Sequence, residues 1–89
     1  MDELLKHALE GDRSALATLL TDHRRVVERT VARLVWDRGA CRDVVQNVLV
    51  KAVRGLPEFK HSCRFSTWLY RIAVNESVEH NRKDARSRR

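Results

Sequence analysis

Residues 16–36 read LATLLTDHRRVVERTVARLVW, and the spacing inside this stretch decides what kind of fold the chain can adopt. Leu16, Leu19, Leu20, Val27, Val31, Leu34 and Val35 recur three and four positions apart, which puts them on one side of an α-helix. His23 falls on the same stripe, where a partly buried, hydrogen-bonded ring is expected rather than a ligand. Arg24, Arg25, Arg29 and Arg33 take the opposite side, facing solvent or a partner. A helix of this length with one apolar face needs other elements to cover it.

Outward in both directions the punctuation is that of further helices. A first helix is expected over residues 2–10, stopped by Gly11, with Asp12 or Ser14 capping a second over 13–36. Asp37-Arg38-Gly39 turns the chain. A third helix over 40–54 then buries Val44, Val45, Val48, Leu49, Ala52 and Val53, until Gly55 ends it and Pro57 prevents its continuation. Residues 55–65, GLPEFKHSCRF, form the longest loop, and a loop of this length in a small domain is a candidate functional segment. Ser66 or Thr67 would cap a fourth helix over 66–86, with Leu69, Ile72 and Ala73 sharing a core-facing arc with Phe65. The fold expected is all-α, a compact bundle of about four helices in one domain spanning 1–89.

Composition narrows the function. Hydrophobic residues make up 43% of the 89, enough for one modest core. No apolar run approaches the roughly 20 residues of a membrane span, and the start MDELLKHALE is too charged for a signal peptide, so a cytoplasmic protein without a membrane partner is expected. Cys41 and Cys63 are too few and too far apart for a disulfide framework and read as reduced thiols. No Gly-rich phosphate loop, metal-binding His pair or nucleophile motif occurs, so neither enzymatic activity nor a cofactor is expected. Glu76 and Glu79 read as ion-pair partners for Arg82 or Lys83.

The net charge of +6 lies wholly in one half. Residues 1–50 hold eight basic and eight acidic groups, whereas residues 51–89 hold ten basic groups against Glu58, Glu76, Glu79 and Asp84. A one-ended positive field points to a polyanion, nucleic acid before membrane. At 100° per residue, Arg71, Asn75, Arg82, Arg86 and Arg89 gather on one stripe away from the core arc, able to lie along phosphates. Aromatic, basic and amide side chains also interleave at Phe59, Arg64, Phe65, Trp68, Tyr70, Arg71 and Asn75. Stacking, cationic backbone contacts and amide bonds to base edges are what capture of unstacked bases requires. Phe65 and Trp68 are equally suited to the core.

Three segments resemble a known family. Phe65-Ser-Thr-Trp-Leu-Tyr-Arg-Ile-Ala-Val-Asn75 is similar to the region 2 signature of extracytoplasmic-function sigma factors, the bacterial transcription initiation factors. Asp43-Val-Val-Gln46, with Lys51-Ala-Val-Arg-Gly-Leu56 behind it, resembles that family's polymerase-binding helix. Gly11-Asp-Arg-Ser-Ala-Leu16 resembles the start of its long helix. The resemblance implies that Asp43, Gln46, Asn47, Lys51 and Arg54 dock on the β′ clamp helices of bacterial RNA polymerase. It implies that the loop through Lys60, His61, Ser62, Cys63, Arg64, Phe65 and Ser66 forms a pocket for a base flipped from the non-template strand of the minus-ten promoter element. Trp68, Tyr70 and Asn75 would line or support that pocket, and Arg71 and Arg82 would hold the flanking backbone. An anti-sigma factor is a further implied partner.

The sequence departs from the family pattern at several places. Asn47 stands where an acidic residue is usual, Leu49 and Val53 where aromatics are common, and Lys60-His61-Ser62-Cys63 where Arg-Gly and an acidic or small residue are frequent. The family's second promoter-binding domain is absent from these 89 residues, so an excised or truncated domain is expected. Two alternatives stay open: a sigma-like protein-interaction module that binds polymerase or an anti-sigma factor without reading DNA, and a nonspecific nucleic-acid binder using only the basic end.

Overall fold

Gly11 makes the first corner of the structure at φ +98°, a conformation that L side chains rarely adopt. The computed structural model describes residues 3–60 and 62–87, and its helices are α1 (Glu3–Leu9), α2 (Arg13–Leu34), α3 (Cys41–Gly55) and α4 (Phe65–Ser87). Single 3-10 turns at Arg38–Ala40 and Leu56–Glu58 precede and follow α3. No strand occurs among the described residues. The structure is the all-α bundle that the sequence predicts. Asp2, taken as the first helical residue, lies outside the described residues.

At the first corner the Gly11 N–H reaches the Ala8 carbonyl and the Asp12 N–H reaches the His7 carbonyl, the paired bonds of a Schellman ending. Asp12 then serves the next helix as well. Its Oδ1 accepts from the N–H groups of Ser14 at 3.0 Å and Ala15 at 3.1 Å. Of the two candidate caps, Asp12 is the one used.

The core runs between α2, α3 and α4. Leu19, Val27 and Val31 of α2 meet Val44, Val48 and Ala52 of α3 and Leu69 and Ala73 of α4, with Leu5 and Ala8 of α1 closing one end. Two hydroxyls are buried here without loss, because Thr30 donates to the Val26 carbonyl and Ser77 to that of Ala73, each at 2.8 Å. His23 is partly buried, as its place on the stripe predicts. It bonds the Leu19 carbonyl at 2.8 Å and meets Phe65 edge-on at 5.1 Å.

Three features differ from the sequence expectation. Helix α2 stops at Leu34 rather than Trp36, because Val35 turns extended and Asn81 of α4 takes over the bonding. Trp36 is consequently 73% exposed. Val53, expected in the core, is 44% exposed, since it lies outside the arc shared by Val44, Val45, Val48 and Ala52. Helix α4 begins at Phe65, with the Arg64 carbonyl accepting from the Trp68 N–H, so Ser66 and Thr67 sit in its first turn rather than before it.

Candidate nucleic-acid interface

The segment between α3 and α4 is pinned at both ends by aromatic rings. Phe59 and Phe65 are buried and meet edge-to-face at 6.2 Å, and Trp68 closes the cluster at 5.3 Å from Phe59 and 5.6 Å from Phe65. Gly55 is part of the same construction: a Cβ there would come within 3.3 Å of the Trp68 ring. Between the anchors, Lys60, Ser62 and Arg64 are exposed and Cys63 packs partly on the core. His61 lies outside the described residues. Phe65 is thus a core residue, and Trp68 is half-buried. Both hold the loop against α4, and only Trp68 leaves ring surface open.

Arg71, Asn75, Arg82 and Arg86 are exposed, as the stripe requires. Arg89, its last predicted member, lies outside the described residues. Ring contacts put the 55–59 segment on the Trp68 side of α4, and by helical phase Asn75 and Arg71 lie toward that same side. Tyr70, 41% exposed, stands roughly 140° around the helix from Asn75, on the flank toward α2. The two therefore border the exposed face of α4 from opposite edges rather than meeting.

The stripe carries its own counter-charge. Glu79 lies 3.6 Å from Arg82 and 3.7 Å from Arg86; the arginines are well exposed and Glu79 is half-buried. Pairs of this kind contribute little in water and yield readily to phosphate. Glu76 takes a different partner from the one its spacing suggests. It is mostly buried and forms an ion pair with Lys51 of α3.

On α3, Asp43, Gln46, Asn47, Lys51 and Arg54 are all exposed. Val50 and Val53 are 45% and 44% exposed among them, and with Leu49 and Arg54 they line a shallow apolar depression. A face that mixes exposed valines with charged and amide groups suits a protein partner better than a polyanion. The structure thus presents two distinct surfaces, one on α3 and one on α4, tied by Lys51 and Glu76. Sequence reasoning missed three features of the structure: the Lys51–Glu76 link, the role of Asn81 and the exposure of Trp36. Only Asn81 had a usable signal, as the fifth member of the four-residue series 65, 69, 73, 77, 81 that α4 buries.

Comparison with known proteins gives one consistent result. Residues 19–87 match the model of the sigma-70 region 2 family. The RNA polymerase sigma-H factor of Pseudomonas aeruginosa is 34% identical over 78 residues, which is 88% of this chain and 40% of that protein. The ECF RNA polymerase sigma-E factor of Escherichia coli K12 is 40% identical over 72 residues, 81% of this chain and 37% of that protein. The chain thus spans about two-fifths of the length of these relatives. An NMR structure of an engineered region 2 of sigmaE in complex with GTAAAA is similar with a TM-score of 0.85 and 35% identity, covering 98% of this chain and 97% of that one.

Proposed function

Because this chain belongs to the sigma-70 region 2 family, we propose that it recognises and melts the minus-ten promoter element while docked on RNA polymerase. Helix α3 provides the docking face for the β′ clamp helices, with Asp43, Gln46, Asn47 and Arg54 surrounding Val50 and Val53. Lys51, at the edge of that face, is shared with Glu76. An anti-sigma factor would compete for the same valines.

A non-template base, flipped out of the duplex, enters between the 60–64 segment and the Asn75 side of α4. Asn75 offers amide groups to the base edge, Trp68 offers a partly open ring, and Arg71, Arg82 and Arg86 hold the strand's phosphates. Flipping costs a few kcal/mol of unstacking, so a site that rewards one base converts that cost into sequence selection. No bond is made or broken in this scheme, and opening is driven by trapping the melted base.

One observation carries the reading: Arg71 and Asn75 are exposed on the side of α4 against which Phe59 and Trp68 hold the loop. The relative solved with GTAAAA supports the choice of ligand. The test is binding to short single strands that differ at one position of a minus-ten-like element, at fixed salt. Base discrimination that disappears in Asn75→Ala is the expected result. Equal affinity for every sequence, falling steeply with salt, would reduce the interface to a nonspecific basic surface. For docking, Gln46→Ala should weaken binding to a β′ clamp-helix fragment, and undiminished binding would remove α3 from the assignment.

A further inference from the structure

The most exposed large apolar side chain in the described structure is Trp36, at 73%. It lies on neither surface assigned above. Its backbone is nevertheless fixed to α4, since Asn81 Oδ1 accepts the Trp36 N–H at 3.1 Å and Asn81 Nδ2 donates to the Leu34 carbonyl at 2.7 Å. The indole is therefore presented from a fixed corner at the level of residue 81, on the edge of α4 that also carries Tyr70. By helical phase the exposed positions on α4 beside Asn81 are Val78 and Ala85, with Arg82 further round the helix.

Basic groups outnumber acidic ones around this corner. Arg33 and Arg38 flank Trp36 in the chain and both are exposed, while Arg82 follows Asn81 directly. The nearest carboxylates are Asp37, whose Oδ1 accepts the Gly39 N–H at 2.9 Å, and Asp84, one turn beyond Asn81 on α4. Six residues of helix separate Asn75 from Asn81, about 9 Å along the axis. Those six residues also carry the chain about 120° around α4, so the two positions border its exposed face from opposite edges, and a stacked strand at about 3.4 Å per nucleotide needs more than about three steps to span them.

We propose that Trp36 is a stacking platform for a second unpaired base, a few nucleotides from the base held beside Asn75 and across the exposed face of α4 from it. The proposal rests on the reading of α4 as a single-strand interface and adds a site on a different element. An indole face accepts any base, so Trp36 adds affinity and strand path without adding sequence preference. Discrimination stays with the loop and Asn75.

The test uses the 89-residue chain, the single strand GTAAAA and a strand of the same composition in permuted order. Trp36→Ala should weaken binding to both strands about tenfold, within the range of one base–aromatic stack, while Trp36→Phe retains most of the affinity. In an abasic scan of GTAAAA, removal of one particular base should cost the parent chain affinity and cost Trp36→Ala nothing further. Unchanged affinity in Trp36→Ala, or an abasic penalty identical in both proteins at every position, would overturn the proposal. So would a loss confined to binding of a β′ clamp-helix fragment, which would make Trp36 a protein contact. Failure of the underlying reading has a separate signature: the parent chain would not distinguish GTAAAA from its permutation, whatever Trp36→Ala does.

Discussion

The side-chain amide of Asn81 substitutes for helix continuation at Leu34, donating from Nδ2 to its carbonyl oxygen at 2.7 Å across 47 positions of sequence. The same amide accepts the Trp36 N–H, so two backbone groups freed where α2 ends are satisfied by one residue of α4. Asn81→Leu keeps the volume and removes both bonds. It should lower stability by about 1–3 kcal/mol, the usual cost of leaving buried polar groups unpaired, as read by urea denaturation.

The Gly11–Asp12 corner should respond to substitution in a non-additive way. Gly11→Ala meets no neighbouring atom within 4 Å, so its cost is purely that of a positive φ, about 1–2 kcal/mol. Asp12→Ala removes the α2 cap at about 1 kcal/mol. Both act on the same turn, and the double variant should lose less than the sum in thermal or urea unfolding.

Neutralising Glu79 should strengthen DNA binding. In Glu79→Gln the Arg82 and Arg86 side chains are released to phosphate, so affinity for a single strand rises and its decline with salt becomes steeper. Folding stability should move by no more than about 0.5 kcal/mol, because the pairs are exposed. Unaltered salt dependence would show that these arginines do not touch the strand.

The aromatic cluster separates shape from stability. Phe65→Ala empties a core position and should cost about 3–5 kcal/mol, enough to unfold a domain of this size. Phe59→Leu is milder at roughly 1 kcal/mol, yet it loosens the loop's first anchor against Trp68. Helical circular dichroism should survive that change while discrimination between bases declines.

Helix number, the Gly11 and Asp12 signals and the arginine stripe were legible because each depends on local spacing or on one residue's backbone preference. The family resemblance was legible in ordered segments such as Asp43–Gln46 and Phe65–Asn75. The rest depends on contacts between residues far apart in sequence. Nothing local to Trp36 says that α2 stops two residues before it, since the reason lies at Asn81. The apolar Val53 reads as core by composition, and only the direction from which α4 and α2 approach α3 leaves it outside. Tyr70 and Asn75 seem near in sequence, but five residues of helix turn them to opposite edges of one face.

The Lys51–Glu76 pair bridges two helices whose mutual angle their shared core already fixes before any partner arrives. Helix α3 belongs to one proposed contact and α4 to another, and the pair joins the last third of α3 to the middle of α4. Whatever grips α3 receives α4 at a set angle, with no orientational search left to the moment of binding.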